Sequence, residues 1–230
     1  MAQKINPKTF RLGITVPWSS RWFYKKPNRF FLEEDHAIRT FLMGKVRDAG
    51  IDGIDIERTG PSVRVTIKAH RPGLIIGRGG KGIEELRDGL LAALRKLRTR
   101  RKVAASSTLH LNIEELKRAE ASAPVVAQQV ATDLERRMPF RRLMKRTLEN
   151  VMQNREVKGA KVRLSGRLNG AEISRSEWKA MGTMPLQTLR ANIDYGEATA
   201  FNTYGTIGVK VWIYKGEVFA EKSEARNPKL

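Results

Sequence analysis

Apolar positions along the first half of the chain repeat at two different periods, and the change of period separates helices from strands. Apolar residues every three or four positions give a helix one apolar face, whereas alternation with polar residues gives a strand one buried face. Asp35 and Gly50 flank the first helical stretch and are suited to its N-cap and to the position after its C-cap. The predicted elements are a helix at 36–49, strands at 51–56 and 63–67, a helix at 81–98 and a strand at 107–114.

The second half of the chain opens with helical periodicity and continues with strands. Residues 115–123 predict a hinge, after which Pro124 is suited to the first turn of a helix. Pro139 interrupts that helix, because proline lacks a backbone donor and clashes with the preceding turn. Further elements are predicted in the order helix 140–154 and strands near 160–168, 188–196 and 206–215. This order is typical of an α+β protein whose second domain packs two helices on a mainly antiparallel sheet.

Composition adds a strong positive charge to this pattern. The 230 residues include 44 Lys and Arg against 24 Asp and Glu, a net charge of +20. A compact body with this charge repels itself, so a polyanionic partner is indicated, with nucleic acid the first candidate and an anionic membrane the second. No apolar run reaches the roughly 18 residues of a membrane span and no signal-peptide core is present. We therefore expect a cytoplasmic protein without a membrane partner.

The sequence offers little chemistry for catalysis or metal binding. It contains no Cys, which excludes disulfides, zinc–thiolate sites and Cys nucleophiles. His36, His70 and His110 lie far apart, without the spacing of metal ligands. No carboxylate pair and no nucleophile with a base can be located. We expect a protein that is not an enzyme and that uses no cofactor and no metal.

A glycine-rich segment precedes the helix at 81–98, and three interpretations of it compete. A Walker loop would need Gly where Ile75 stands and Ser or Thr where Gly82 stands. A dinucleotide fingerprint is matched by Gly77, Gly79 and Gly82, but no strand leads directly into the loop. The third interpretation is a Gly-x-x-Gly loop between two helices, as in KH domains, where glycines let a phosphodiester approach the main chain.

The order of elements around this loop favours the third interpretation. A helix, two strands, two loop-bridged helices and a strand follow one another as in a type II KH domain. Residues 74–76 are apolar and would help to line an adjoining groove for unpaired bases, whereas a plain glycine turn is the alternative. The candidate RNA-binding residues of the loop are Gly77, Arg78, Gly79, Gly80 and Lys81.

The helix at 140–154 concentrates its cations on one side. Residues advance about 100° each around a helix, which places these cations opposite the apolar side. Neighbouring like charges repel, and a polyanion would reverse that penalty, although a solvated charged face is the alternative. Glu135 and Glu149 are the only acids near this stretch of sequence. The candidate residues are Arg136, Arg137, Arg141, Arg142, Lys145 and Arg146.

Further candidate RNA contacts lie in the N-terminal extension and in the strands after residue 160. Residues 1–34 form an extension in which aromatics alternate with cations, a composition that suits base stacking and phosphate contacts. The alternative is that these aromatics pack on the protein's own core. The outward side of the strands after 160 adds cations, which predicts one positive surface formed by helix and sheet together. The additional candidates are Lys4, Arg11, Trp22, Lys161, Arg163 and Arg167.

Short motifs recur in one order across nearly the whole chain. They are Gln3-Lys4 with Pro7, Arg11–Ile14, Arg71–Gly73 with Ile75–Gly77, Leu134–Arg137, Phe140–Arg142 with Met144–Arg146, Gly159–Val162, Ser165–Glu172, Pro185–Ala191 and Tyr204–Trp212. Together they resemble the bacterial members of the small-subunit ribosomal protein family S-three. The basic segment Arg95–Lys102 departs from this pattern, because it is longer than the family usually has.

The resemblance implies a fold and a function. It implies an N-terminal extension at 1–34, a type II KH domain at 35–115, an α+β domain at 116–220 and a polar tail at 221–230. It implies a structural constituent of the small-subunit head on the ribosome, next to the ribosomal proteins S-ten and S-fourteen. Such a protein binds ribosomal RNA and helps to form the channel through which messenger RNA enters.

The resemblance also assigns roles to individual residues. The family's messenger-contacting cations map onto Arg141, Arg142 and Lys145, which would help to unwind structured messenger while translocation supplies the energy. Two alternatives from other classes stay open. One is a free KH-type RNA-binding regulator, and the other is a nucleotide-dependent enzyme that uses Gly77 to Gly82.

Overall fold

A four-stranded sheet organises the N-terminal half of the protein. The computed structural model describes residues 4–23, 29–59, 62–101 and 108–219. The strands are, in their spatial order, β1 (Ser20–Phe23), β2 (Ile51–Thr59), β3 (Ser62–Ala69) and β4 (Thr108–Glu115). β2 and β3 are antiparallel, whereas β1 runs parallel to β2 and β4 runs parallel to β3.

The N-terminal half contains four α-helices, of which the first contacts the C-terminal half rather than this sheet. They are α1 (Pro7–Phe10), α2 (Arg29–Lys45), α3 (Pro72–Ile76) and α4 (Lys81–Arg101). Ile38 and Leu42 of α2 and Leu90 and Leu94 of α4 are buried with the alternating Ile and Val residues of β2 and β3. The order α2, β2, β3, α3, α4, β4 is that of a type II KH domain, as the sequence predicts.

A second four-stranded sheet organises the C-terminal half. Its strands are β5 (Gly159–Gly166), β6 (Arg175–Gly182), β7 (Ala191–Asn202) and β8 (Gly205–Glu217), in the spatial order β6-β5-β8-β7. All three pairings are antiparallel. The helices α5 (Ala123–Glu135) and α6 (Phe140–Met152) pack on one face of this sheet, which confirms the predicted α+β class. Across the described ranges, no helix combines the length and apolar character needed to cross a bilayer.

The N-terminus of α5 joins the two halves. Ser122 caps α5 by accepting from the Val125 N–H, and its hydroxyl donates to Asp52 Oδ1 on β2 at 2.6 Å. The Ala123 N–H donates to Asp194 Oδ2 on β7 at 2.7 Å. A helix terminus has unpaired N–H groups, so these contacts satisfy donors while fixing α5 between both sheets.

Three details of the prediction differ from the structure. α2 begins at Arg29, so Asp35 lies inside this helix and is not its N-cap. β7 begins at Ala191 and extends to Asn202, beyond the predicted 188–196. β6 was not predicted, because this edge strand is almost entirely exposed and lacks the apolar alternation of a half-buried strand. Gly60 and Pro61, between the two predicted strands, and the predicted tail at 221–230 lie outside the described residues.

Candidate nucleic-acid interface

The basic face of α6 is the largest exposed cation cluster that the sequence predicts. Phe140, Leu143, Met144, Leu148 and Val151 are buried against the second sheet, which fixes the rotation of the helix. The opposite side therefore faces solvent, as predicted from the 3.6-residue period. Arg136 and Arg137 are also exposed, in the turn between α5 and α6. We call the following exposed set the α6 basic face: Arg136, Arg137, Arg141, Arg142, Lys145 and Arg146.

Two carboxylates partly neutralise the positive charge of the α6 basic face. Arg141 donates to both oxygens of Glu177 on β6, each at 3.3 Å. Hydrogen bonding from Arg141, aided by the positive charge of Arg175, holds the pKa of the Glu177 carboxyl below its ordinary value. Lys145 Nζ lies 3.7 Å from Glu149 Oε1 one helical turn away. Glu177 was not among the acids expected near this helix, because only the unpredicted β6 brings it there.

The remaining cations of the face lack such partners. Among the described residues, no carboxylate oxygen lies within 4.0 Å of a nitrogen of Arg142 or Arg146. Arg137 has a positive φ of 63°, a conformation that few non-Gly residues adopt and that reverses the chain between α5 and α6. The turn and the helix thus present a contiguous surface with excess positive charge.

The glycine loop connects α3 to α4, and its residues are exposed except for Gly80, which is half-buried. Gly79 and Gly80 have φ values of 63° and 81°, which other residues rarely adopt. A Cβ built on either would meet no atom of the described residues within 4 Å, so their backbone is open to a ligand. At Gly82 a Cβ would lie 2.6 Å from the Ile75 carbonyl oxygen, so only Gly permits this approach of α3 to α4. Arg78 and Lys81 are exposed beside the loop.

A cleft of about 580 Å³ lies beside this loop. The predicted apolar lining holds only in part: Leu74, which is 61% exposed, and the buried Ile75 both line the cleft, whereas Ile76 does not. Asp48 and Glu85 also line the cleft, and their carboxylates oppose phosphate. Backbone access at the loop, rather than this cleft, is what suits RNA.

The N-terminal candidates divide into exposed and internal residues. Lys4 is exposed. The predicted RNA contact of Arg11 is contradicted, because the side chain is fully buried and donates to the carbonyl oxygens of Pro7, Leu186 and Thr188. Trp22 is half-buried, and its Nε1–H donates to Asp35 Oδ2 at 2.9 Å. The alternative that the aromatics pack on the protein's own core therefore holds in part for Trp22, and the cation Arg11 is likewise internal.

The predicted strand cations Lys161 and Arg163 do not join the α6 basic face. Val162 and Leu164 point into the core beneath α6, so Lys161 and Arg163 point to the other side of the sheet. The prediction that Lys161 and Arg163 form one positive surface with the helix is wrong, because the sheet separates them from the α6 basic face. The strand cation beside that face is Arg175 of β6, which lies 3.2 Å from Glu177. Arg167 donates to the carbonyl oxygens of Ala171 and Tyr204, which ties it to the adjacent turns.

The basic segment predicted at the end of α4 lies in the helix up to Arg101. Arg95, Lys96 and Arg100 are exposed, whereas Arg98 pairs with the buried Glu34 at 2.6 Å. Lys102 lies outside the described residues.

Two family models match the chain in consecutive stretches. Residues 37–121 match the model of the KH domain. Residues 130–213 match the model described as ribosomal protein S3, C-terminal domain. The first stretch includes the glycine loop, and the second includes α6, the strands β5 to β7 and most of β8.

Individual relatives extend the similarity to the full chain. The chain is 49% identical over 241 residues to the small ribosomal subunit protein uS3 of Sulfurimonas denitrificans, covering 100% of this chain and 95% of that protein. It is 51% identical over 221 residues to the protein of the same name from a Nitratiruptor species, covering 95% and 90%. The similarity to the Helicobacter pylori protein of that name is 46% over 235 residues, covering 98% and 94%.

Proposed function

The chain belongs to the uS3 family of small ribosomal subunit proteins, and on that premise we propose that its α6 basic face lines the channel through which messenger RNA enters the ribosome. The family consists of structural proteins rather than enzymes. The chain is accordingly a ribosome-associated RNA-binding protein with a structural role in the small subunit. Within that role, the α6 basic face contacts messenger and helps to unwind it.

The observation that carries this proposal is the one-sided exposure of the cations on a helix whose other side is anchored. Five buried side chains hold α6 against the second sheet, so its cations keep a fixed direction. Their ion pairs are long and exposed, at 3.3 Å for Arg141 and 3.7 Å for Lys145. Pairs of this kind contribute about 0–1 kcal/mol, so a phosphate can replace Glu177 or Glu149 at little cost.

This arrangement suits unwinding without hydrolysis of a nucleotide. Arg and Lys contact phosphates of any sequence, so messenger can move past them while the contacts are exchanged. A single strand held through its phosphates is less free to pair again with its complement. Translocation would supply the energy for strand separation, and the α6 basic face would only keep the separated strands from pairing again.

Ribosomal RNA accounts for the other exposed candidates. We assign the glycine loop, with Gly77, Gly79 and Gly80 and the flanking Arg78 and Lys81, to a phosphate backbone that approaches the main chain. We also expect Trp22 and Arg167 to contact ribosomal RNA, at the margins of the surface that it covers. In the head of the small subunit the neighbours would be the ribosomal proteins S-ten and S-fourteen.

The proposal is tested by ribosomes that carry Arg141→Ala together with Lys145→Ala. If each lost phosphate contact is worth about 0.5 kcal/mol, elongation through a messenger hairpin slows by about fivefold. Elongation on an unstructured messenger stays within about twofold of the parent, because chemistry and assembly do not use these residues. The measurement is the time per codon in a reconstituted translation system.

The control removes one arginine and one lysine, at the same separation in sequence, from the first sheet. Arg64 and Lys68 lie on β3, four residues apart like Arg141 and Lys145. Ribosomes with Arg64→Ala and Lys68→Ala should pass the hairpin at the parent rate. Equal rates for parent, control and α6 variant on the hairpin would contradict the proposed channel contact.

A further inference from the structure

Within the described residues, α5 and α6 cover only one face of the second sheet, and Met184 and Leu186 pack on part of the other face, at Ile193 and Tyr214. α5 and α6 pack on the side that carries Val162, Leu164 and Val211. On the other side, register places Trp178 of β6 beside Arg163 of β5, and Arg163 beside Lys210 of β8. The adjacent row pairs Lys161 with Trp212. We call this surface the outer sheet face, defined by Lys161, Arg163, Trp178, Lys210 and Trp212.

Two tryptophans flank one lysine on this face. Lys161 Nζ lies 4.4 Å from the ring centroid of Trp178 and 5.8 Å from that of Trp212. Trp212 is half-buried and packs on Tyr195, with ring centroids 5.5 Å apart. Trp178 remains 61% exposed although Lys161 lies over it. A large indole surface on β6 is thus contacted by Lys161 and left open to solvent.

Cations outnumber carboxylates around the Trp178 indole. Arg163 and Lys210 are exposed, and the polar contact of Arg163 is with the hydroxyl of Ser176 at 3.3 Å. Burial, together with the positive charges of Lys4 and Arg163, lowers the pKa of Lys161. Glu197 is the cross-strand neighbour of Lys210, but its carboxylate accepts from the Tyr195 hydroxyl. Among the described residues of the outer sheet face, three cations therefore face a single carboxylate.

We propose that the outer sheet face binds single-stranded RNA, with an unpaired base stacked on Trp178 and the flanking phosphates held by Arg163 and Lys210. Neighbouring strands lie about 4.8 Å apart, so Trp178 and Lys210 are separated by about 10 Å, within reach of one base and its adjacent phosphates. Stacking needs an unpaired base, because the rings of a duplex are already stacked. Excess positive charge favours RNA over an apolar protein surface.

This site is distinct from the α6 basic face. The two surfaces lie on opposite sides of one sheet, so a single RNA segment cannot contact both without passing around its edge. Their readouts also differ: stacking on Trp178 needs a base, whereas the α6 basic face needs only phosphates. A result on one surface therefore leaves the other proposal standing.

The test uses the full chain with Arg141→Ala and Lys145→Ala already in place, so that binding at the α6 basic face does not mask the outer sheet face. A short oligouridylate is titrated against this chain and against versions with Trp178→Ala, Trp178→Phe or Trp18→Ala. Trp18 is the matched control, because it is 65% exposed and lies far along the chain in the N-terminal extension. Ultraviolet crosslinking of the same complexes, mapped by mass spectrometry, identifies the residue that touches the base.

Trp178→Ala should weaken binding by about 5- to 100-fold, the range expected for the loss of one base–aromatic stack. Trp178→Phe should stay within about threefold, since a ring remains, and Trp18→Ala should change nothing. Uracil should crosslink to Trp178, and a blunt RNA duplex should compete poorly. Equal affinities for Trp178→Ala and Trp18→Ala, or a duplex that competes as well as the single strand, would overturn the proposal. So would crosslinks in intact small subunits that join Trp178 to a protein and not to RNA.

Discussion

Arg58 and Arg141 belong to one strongly basic chain, yet their surroundings differ in almost every respect. The Arg58 side chain is 5% exposed, donates to Glu34 at 2.7 Å and through Nε to Asp35 at 2.9 Å, and lies 4.9 Å from the ring centroid of Phe31. The Arg141 side chain is 74% exposed and contacts Glu177 at 3.3 Å.

The difference shows how burial decides what a cation does. A buried guanidinium must find all of its partners inside the protein, because transfer from water costs several kcal/mol. Its partners are then fixed, and its role is to hold elements together. An exposed guanidinium keeps most of its hydration, so its carboxylate can be exchanged for a phosphate. Sequence composition counts both arginines alike, whereas only the second kind is free to bind RNA.

The largest effect is expected at the buried cluster of Arg58, Glu34, Asp35 and Arg98. Arg58→Met leaves the carboxylates of Glu34 and Asp35 buried without their main partner, which should cost about 3–5 kcal/mol. Urea unfolding of the full chain measures the loss. Arg64→Met is the control on the adjacent strand β3, where an exposed arginine lies 4.0 Å from Glu57 and should contribute less than about 0.5 kcal/mol. Similar losses for both variants would remove the distinction between the two kinds of arginine.

A smaller loss is expected at Arg11. Its guanidinium donates to Leu186 O at 2.8 Å and to Thr188 O at 2.9 Å, so it fastens the N-terminal segment to the C-terminal half. Arg11→Met should lower the free energy of unfolding by about 1–3 kcal/mol, since these carbonyls lose charged donors. Hydrogen exchange should quicken in the segment around residue 188. The nearby Lys8→Met breaks an ion pair with the largely buried Asp194 at 2.8 Å, and it should cost about 1 kcal/mol, because Asp194 keeps its hydrogen bond from the Ala123 N–H.

The smallest effect is a change in titration at the α6 basic face. The hydrogen bonds from Arg141 lower the pKa of Glu177 in the folded protein. A carboxyl whose folded pKa is depressed contributes stability above its unfolded pKa and loses that contribution as pH falls through the folded pKa. Arg141→Ala should therefore raise the pKa of Glu177 toward its ordinary value, as followed by NMR titration. Lys145→Ala should leave it nearly unchanged.

Adding RNA provides a second test through the pKa of Glu177. When a phosphate takes the place of Glu177 beside Arg141, the carboxyl loses its hydrogen bonds, so oligouridylate should also raise the pKa of Glu177 in the parent protein. A pKa that does not respond to RNA would show that Arg141 keeps its carboxylate and does not contact phosphate.

Periodicity predicted those features that depend on neighbours in sequence. The facing of α6 follows from the 3.6-residue repeat of Leu143, Met144, Leu148 and Val151, all of which are buried. The glycine loop was placed correctly between two helices, because positive φ and close helix approach both require glycine there. The order of elements, and with it the KH-type half, follows from the same local patterns.

Features that depend on distant residues were not predicted. β6 is an edge strand with almost no buried side chain, so its sequence carries no alternation, and with it Glu177 and Trp178 were missed. Arg11 resembles any other cation of the extension, and its burial depends on carbonyls about 175 residues away. Lys161 and Arg163 were recognised as outward-pointing, but which side of the sheet the helices cover is decided only by tertiary packing.

The central claim is that the α6 basic face touches messenger RNA, and crosslinking tests it most directly. Ribosomes are programmed with a messenger that carries photoactivatable thiouridine at successive positions ahead of the decoding site, irradiated, and analysed by mass spectrometry. The account predicts crosslinks on this chain at Arg141, Arg142, Lys145 or their immediate neighbours on α6. Crosslinks confined to the glycine loop, or none on this chain at any messenger position, would contradict it.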